Sequence, residues 1–206
     1  MFVSKTLIQI KQETSPFYSA SPFVDLCSPI MPELVSCVSA PTWDATGPQT
    51  PTQQFFKKYV DTVDSYGFNH GSGLRFYSKD VIFHNQNNAQ YNGGNEMWAW
   101  MKRLFGQFER LRHDFHSLWE VKNEDGTTTI MTQWTRNIWV PGNNTEEPTV
   151  SVPLSWICTI GPADFDDAVD GLNFKEVWLY WDTALLMKHL PQEAVVFQTQ
   201  NILHEA

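Results

Sequence analysis

Basic residues are scarce and scattered. Fourteen lysines and arginines stand against 23 aspartates and glutamates, a formal charge of −9, and nowhere do they form a run. Nucleic acids and anionic membranes both require a basic face, so neither partner is expected. Cysteine is also sparse. Cys27, Cys37 and Cys158 have no metal-ligand spacing and leave one thiol over if two pair, which suits a reducing, cytoplasmic setting. No hydrophobic run reaches the length of a membrane helix, and "MFVSKTLIQIKQET" is too short and too interrupted for a signal peptide. In that setting the sequon Asn143-Asn144-Thr145 has no use. HxH, HExxH and Cys/His spacings are missing, so no metal is expected. "YNGGN" is too short to cradle a dinucleotide, and no G-x-S-x-G elbow exists to present a serine nucleophile. The expectation is therefore a protein without cofactor.

Aromatic side chains, by contrast, are abundant: 14% of 206 residues, nine of them tryptophan, within a 42% hydrophobic composition. The length supports one domain with a real core. So many flat, bulky side chains imply either a core built from large pieces or a cavity with aromatic walls.

Residues 1–50 are rich in Ser, Pro and Thr without sustained periodicity and read as a leader. It is either flexible or an arm lying over the domain or a partner subunit, the latter favoured by Phe17, Phe23, Leu26 and Trp43. Order begins at "TPTQQFFKKYVDTVDSYGF", where Thr52 can cap a helix bearing Phe56, Val60, Val63 and Gly67. A short helical segment leads into the strand "VIFHN", and Asn95 can cap a second long helix with Met97, Met101, Leu104, Phe105 and Phe108 on one stripe. From residue 111 the period becomes two. "LRHDFHSLWEVK", the turn "NEDG" and "TTTIMTQWTRNIWV" form a hairpin, and "PTVSVPLSWICTI" and "LNFKEVWLYWD" are two further strands. Pro153 suits a strand edge or bulge, and Cys158, alternating with Trp156 and Ile160, packs. Residues 191–206 form a tail that, if helical, gathers Val196, Phe197 and Leu203 into an apolar patch. Long antiparallel strands curling over helices give an α+β roll with one concave face.

This order, with "FHNQNNAQYNGG…WAWMKRLFGQFE" and the closing "EVWLYWDTALL", resembles the SnoaL-like branch of the NTF2-like superfamily over residues 51–190. The resemblance implies a cone-shaped roll, a curved and mostly antiparallel sheet wrapped around N-terminal helices, and a homodimer held through the outer face of the sheet. It implies cyclase, isomerase, dehydratase and epoxide-opening activities on one side and non-catalytic binders on the other. In register with limonene-type epoxide hydrolases, their water-activating Arg and two Asp fall on Trp134, Arg136 and Leu179, so that triad is missing. In register with scytalone dehydratase, Asp64 and His113 match, but residues 127–140 hold no second histidine.

Three residues are the catalytic candidates. Arg136 shares a strand face with Ile130, Thr132, Trp134 and Ile138, where a guanidinium must either pair with a buried Asp or clamp a carbonyl or enolate oxygen of a ligand. His113 falls with Leu111, Phe115, Trp119 and Val121 on the face opposite Arg112, Asp114, His116 and Glu120. It is a general acid or base, or a core histidine satisfied by a partner. Asp64, at the border of the helical stripe, orients His113, takes a proton, or faces solvent. Tyr59, Tyr77, His84, Trp98, Trp134, Trp156, Trp178 and Tyr180 are the candidate binding residues for a flat hydrophobic ligand, although His84 also reads as a strand end. Asp182 reads as a helix cap rather than a reactive group.

Two functions follow. The first is a cofactor-independent enzyme working on a polyketide- or terpenoid-like intermediate by acid/base cyclisation, isomerisation, dehydration or epoxide opening. The second is a non-catalytic small-molecule binder or dimeric interaction module. Titratable groups converging on a space of about 300 Å³ or more would favour the enzyme, and a cone plugged by its own tryptophans the binder.

Overall fold

The computed structural model describes residues 31–86 and 89–189. These residues belong to one compact unit that begins at Met31, so the domain takes in residues 31–50 that the sequence pattern assigns to the leader. The rest of the leader, with Phe17, Phe23 and Leu26, and the 191–206 tail lie outside the described residues.

Among the described residues seven strands form one sheet: β1 (Glu33–Ser39), β2 (Tyr77–Asn85), β3 (Gln90–Asn92), β4 (Arg110–Lys122), β5 (Thr128–Trp139), β6 (Val150–Pro162) and β7 (Leu172–Trp181). Their spatial order is β1-β4-β5-β6-β7-β2-β3. Of these pairs, β2–β7 is parallel and the others are antiparallel. The helices are α1 (Ala40–Thr46), α2 (Pro51–Asp64), α3 (Gly94–Phe105) and the short α4 (Thr183–Met187). This is the α+β roll expected, with β1 and β3 added at its two edges.

Local chemistry sets the boundaries. Thr50, not Thr52, caps α2: its hydroxyl accepts from the Gln53 amide, and Pro51 occupies the first helical turn, where its missing N–H costs nothing. Helix α3 starts at Gly94 with no side-chain cap, so Asn95 does not serve as one. Glycine is required there. Gly93 has φ +93, and a Cβ on Gly94 would meet the Tyr77 Cβ at 2.8 Å, so α3 lies tight against β2 only because both residues are bare. Asp182 does cap α4, accepting from the Ala184 amide at 2.9 Å. Pro153 falls where β6 has run past the Leu154–Trp181 pair that ends its ladder with β7, an edge-like place for a strand proline.

Strand β4 departs from simple alternation. His116 is an extra residue, because Phe115 opposes Trp134 while Ser117 opposes Gln133. Beyond this bulge the faces exchange. Leu118 and Glu120 are buried, and the expected inward positions Trp119 and Val121 turn away from the core. Glu120 accepts hydrogen bonds from Thr50, Gln53 and Ser36, which ties β1 and the start of α2 to β4. Strand β5 is regular, and Ile130, Thr132, Trp134, Arg136 and Ile138 are all buried against the helices.

Candidate active site

The last turn of α2 brings Asp64 against β4, and the two-residue pleat of β4 and β5 sets His113 directly opposite Arg136. The outcome is a line of three charged or polar groups. Asp64 Oδ1 lies 2.5 Å from His113 Nδ1, and Asp64 Oδ2 accepts from the His113 backbone amide at 3.0 Å. On the far side of the ring, Arg136 Nε donates to His113 Nε2 at 2.8 Å. A guanidinium nitrogen only donates, so Nε2 must be the acceptor and Nδ1 carries the proton toward Asp64.

Burial is nearly complete at the centre. The His113 side chain is 5% exposed and Arg136 4%, while the Asp64 side chain keeps 25% exposure. Removal from water pushes the His113 pKa below its usual 6.5; the bond to Asp64 opposes this and the charge of Arg136 adds to it. Burial also lowers Arg136, to about 10, and leaves it a cation at neutral pH. Among the described residues no carboxylate contacts Arg136. Its charge is balanced through the imidazole by Asp64 and by two ring faces, Phe105 at 4.7 Å and Trp181 at 5.0 Å from the guanidinium carbon. Arg136 therefore pairs directly with no buried Asp; it is linked through His113 to the partly exposed Asp64.

Two hollows adjoin this line. The deeper, about 10 Å³, is walled by Tyr59, Val60, Val63, His113, Trp134, Arg136, Leu154 and Trp156. The outer, about 120 Å³, is walled by Trp43, Phe56, Lys57, Val60, Asp61, Asp64, His113, Phe115 and Trp134. Both fall below the 300 Å³ mark, because aromatic rings fill most of the cone; the titratable groups do converge.

Of the candidate binding residues, Tyr59, Trp134 and Trp156 line the deep hollow. Tyr77 and Trp98 pack in the core beside it. The Tyr77 hydroxyl is 2.7 Å from that of Tyr59, and Trp98 packs against Phe76 and Tyr77. Burial raises both tyrosine pKa values, so the hydroxyls stay neutral. His84 and Trp178 line neither of these hollows, and Tyr180 lines a separate, more open one of about 400 Å³ shared with Trp134, Leu154 and Trp181. Alternation on β7 turns Val177, Leu179 and Trp181 inward and leaves Trp178 and Tyr180 on the outer face, where His84 stacks on Trp178 at 3.5 Å and bonds Glu176. Burial lifts the Cys158 thiol to about 12 and keeps it inert, a packing residue.

Two contributors lie outside the candidate binding set, although Trp43 fits the reading of residues 1–50 as an arm over the domain. Trp43 stacks on Phe115 at 4.7 Å over the outer hollow, from a stretch whose Pro-rich composition hides a helix. Trp181 is legible in principle, since it continues the Val177–Leu179 face. Among the described residues no group of three or more His, Cys, Asp or Glu could hold a metal ion, and no helix is long and apolar enough to cross a membrane.

No family model matches the chain, and no curated protein matches it. Solved structures do. ActVI-ORFA from Streptomyces coelicolor is 12% identical with a TM-score of 0.52, covering 64% of this chain and 95% of its own. Aln2 from a Streptomyces species is 13% identical with a TM-score of 0.52, covering 67% and 93%. Kfla4162 from Kribbella flavida is 16% identical with a TM-score of 0.51, covering 70% and 99%. The chain shares the fold of these three structures, an α+β roll built on one sheet. At these identities the likeness concerns the fold and leaves the chemistry to the site.

Proposed function

We propose that the chain is a cofactor-independent enzyme that removes a proton next to a carbonyl group of a flat, hydrophobic, polyketide- or terpenoid-like intermediate. The enolate so formed then cyclises, isomerises, eliminates water or opens an epoxide within the same molecule. The carrying observation is the Asp64–His113–Arg136 line, buried at His113 and Arg136, with the Asp64 carboxylate at the outer hollow and Arg136, whose Nη1 has no partner, at the deep one. Arg136 holds the carbonyl oxygen and meets the charge that develops there, in surroundings of low dielectric where such an interaction is strong. Asp64, the accessible member, takes the proton. Both nitrogens of His113 are engaged, so it is a positioning residue that fixes the carboxylate and the guanidinium relative to each other.

One observation favours the other reading, a non-catalytic binder: the hollows are small and walled largely by the protein's own aromatic rings, Trp43 among them. Hydrogen–deuterium exchange separates the two. A panel of flat bicyclic ketones in D₂O should lose α-proton NMR signal faster with the protein than with buffer. Asp64→Asn and Arg136→Gln should each slow this by roughly 10²-fold or more. Binding of the ketones without accelerated exchange would leave the binder.

A further inference from the structure

Arg136 Nη1 and Trp134 Nε1 are buried and have no hydrogen-bond partner, and both residues wall the deep hollow. The polar groups of His113 and Tyr59 among the remaining walls are already engaged. His113 Nε2 already accepts from Arg136, the Tyr59 hydroxyl is paired with that of Tyr77, and Val60, Val63 and Leu154 are aliphatic. Native interiors seldom leave such donors unanswered; the Trp98 indole N–H is also unpartnered but lines neither hollow, whereas Arg136 and Trp134 share one. A space of about 10 Å³ admits one water-sized atom. Beyond it, sharing Val60, His113 and Trp134 as walls, the outer hollow of about 120 Å³ holds the stacked Trp43–Phe115 pair.

We infer that the deep hollow is a subsite for a single anionic or strongly accepting ligand oxygen, in which the Trp134 indole N–H is a second donor beside Arg136. The ligand class is a phenol or enolisable ketone whose oxygen enters the deep hollow while its ring lies in the outer one. The substrate class rests on the enzymatic reading above; the oxygen subsite does not. A wall rich in donors and carrying a cation stabilises phenolate over phenol, because only the anion meets both the charge and the hydrogen bonds with full strength.

The test uses 4-nitrophenol, whose neutral and ionised forms absorb at different wavelengths, and 4-nitrotoluene as a neutral analogue of similar shape. With the wild-type protein, bound 4-nitrophenol should ionise at least about one pH unit below the free compound. Trp134→Phe keeps a ring and deletes the N–H. It should weaken phenolate binding about tenfold and leave 4-nitrotoluene binding unchanged. Ionisation at the same pH bound and free, or no binding of either probe at millimolar concentration, would overturn the subsite. An equal loss for both probes in Trp134→Phe would show packing rather than hydrogen bonding and overturn the role of Trp134. A lowered ionisation pH without ketone exchange would keep the subsite and remove the enzyme. Exchange without that shift would do the reverse.

Discussion

Burial decides the protonation state of His113, and the consequence reaches stability. Its folded-state pKa lies below the ordinary 6.5, so between those two values the unfolded chain binds a proton that the folded chain does not. The contribution is present in full above pH 6.5 and is lost as the pH falls below it. Urea melts should therefore show stability declining as pH drops below about 6.5, before the carboxylates titrate, and His113→Asn should flatten that decline. A slope unchanged in the variant would place the effect elsewhere. At this scale the sequence is informative about the inward residues of β5, because strict alternation carries Arg136 with Trp134. It is silent on the tautomer of His113, which depends on two partners 49 and 23 residues away in the chain.

Among the elements, β4 shows where pattern reading fails. Alternation holds from Leu111 to Phe115 and inverts at His116, because one inserted residue exchanges the faces and no residue type announces it. That exchange hides Glu120, a 2% exposed carboxylate that Ser36, Thr50 and Gln53 satisfy from β1 and the α2 cap. Removing it leaves buried donors without an acceptor. Glu120→Ala should cost roughly 3 kcal/mol in chemical denaturation, and Glu120→Gln less, since an amide oxygen still accepts. A loss below about 0.5 kcal/mol for the alanine variant would mean that water replaces the carboxylate. Helix α2, by contrast, is legible but for its cap, which shifts from Thr52 to Thr50 because Pro51 opens the first turn. The outer-face set His84, Trp178 and Tyr180 misleads for a plain reason. Aromatic identity suggests a wall of the inner hollows, where pleat parity does not place these side chains, and Ile82, Trp178 and Tyr180 are among the most exposed large side chains.

Across the whole molecule, the roll is legible because helices followed by long period-two strands have few ways to bury both faces. What composition does not convey is how far the rings fill the interior, or that the Pro-rich stretch carrying Trp43 supplies an edge strand as well as an arm over the domain. All of this serves one arrangement: a neutral imidazole wedged between a carboxylate and a guanidinium inside an aromatic shell. Two-bond ¹H–¹⁵N spectra of the histidine side chains, assigned through His113→Asn, test that arrangement most directly. The account predicts that at neutral pH His113 carries its proton on Nδ1, with Nε2 bare and shifted by the bond from Arg136, and that Arg136→Gln perturbs that signal. A proton on Nε2, or an imidazolium protonated at both nitrogens, would contradict it.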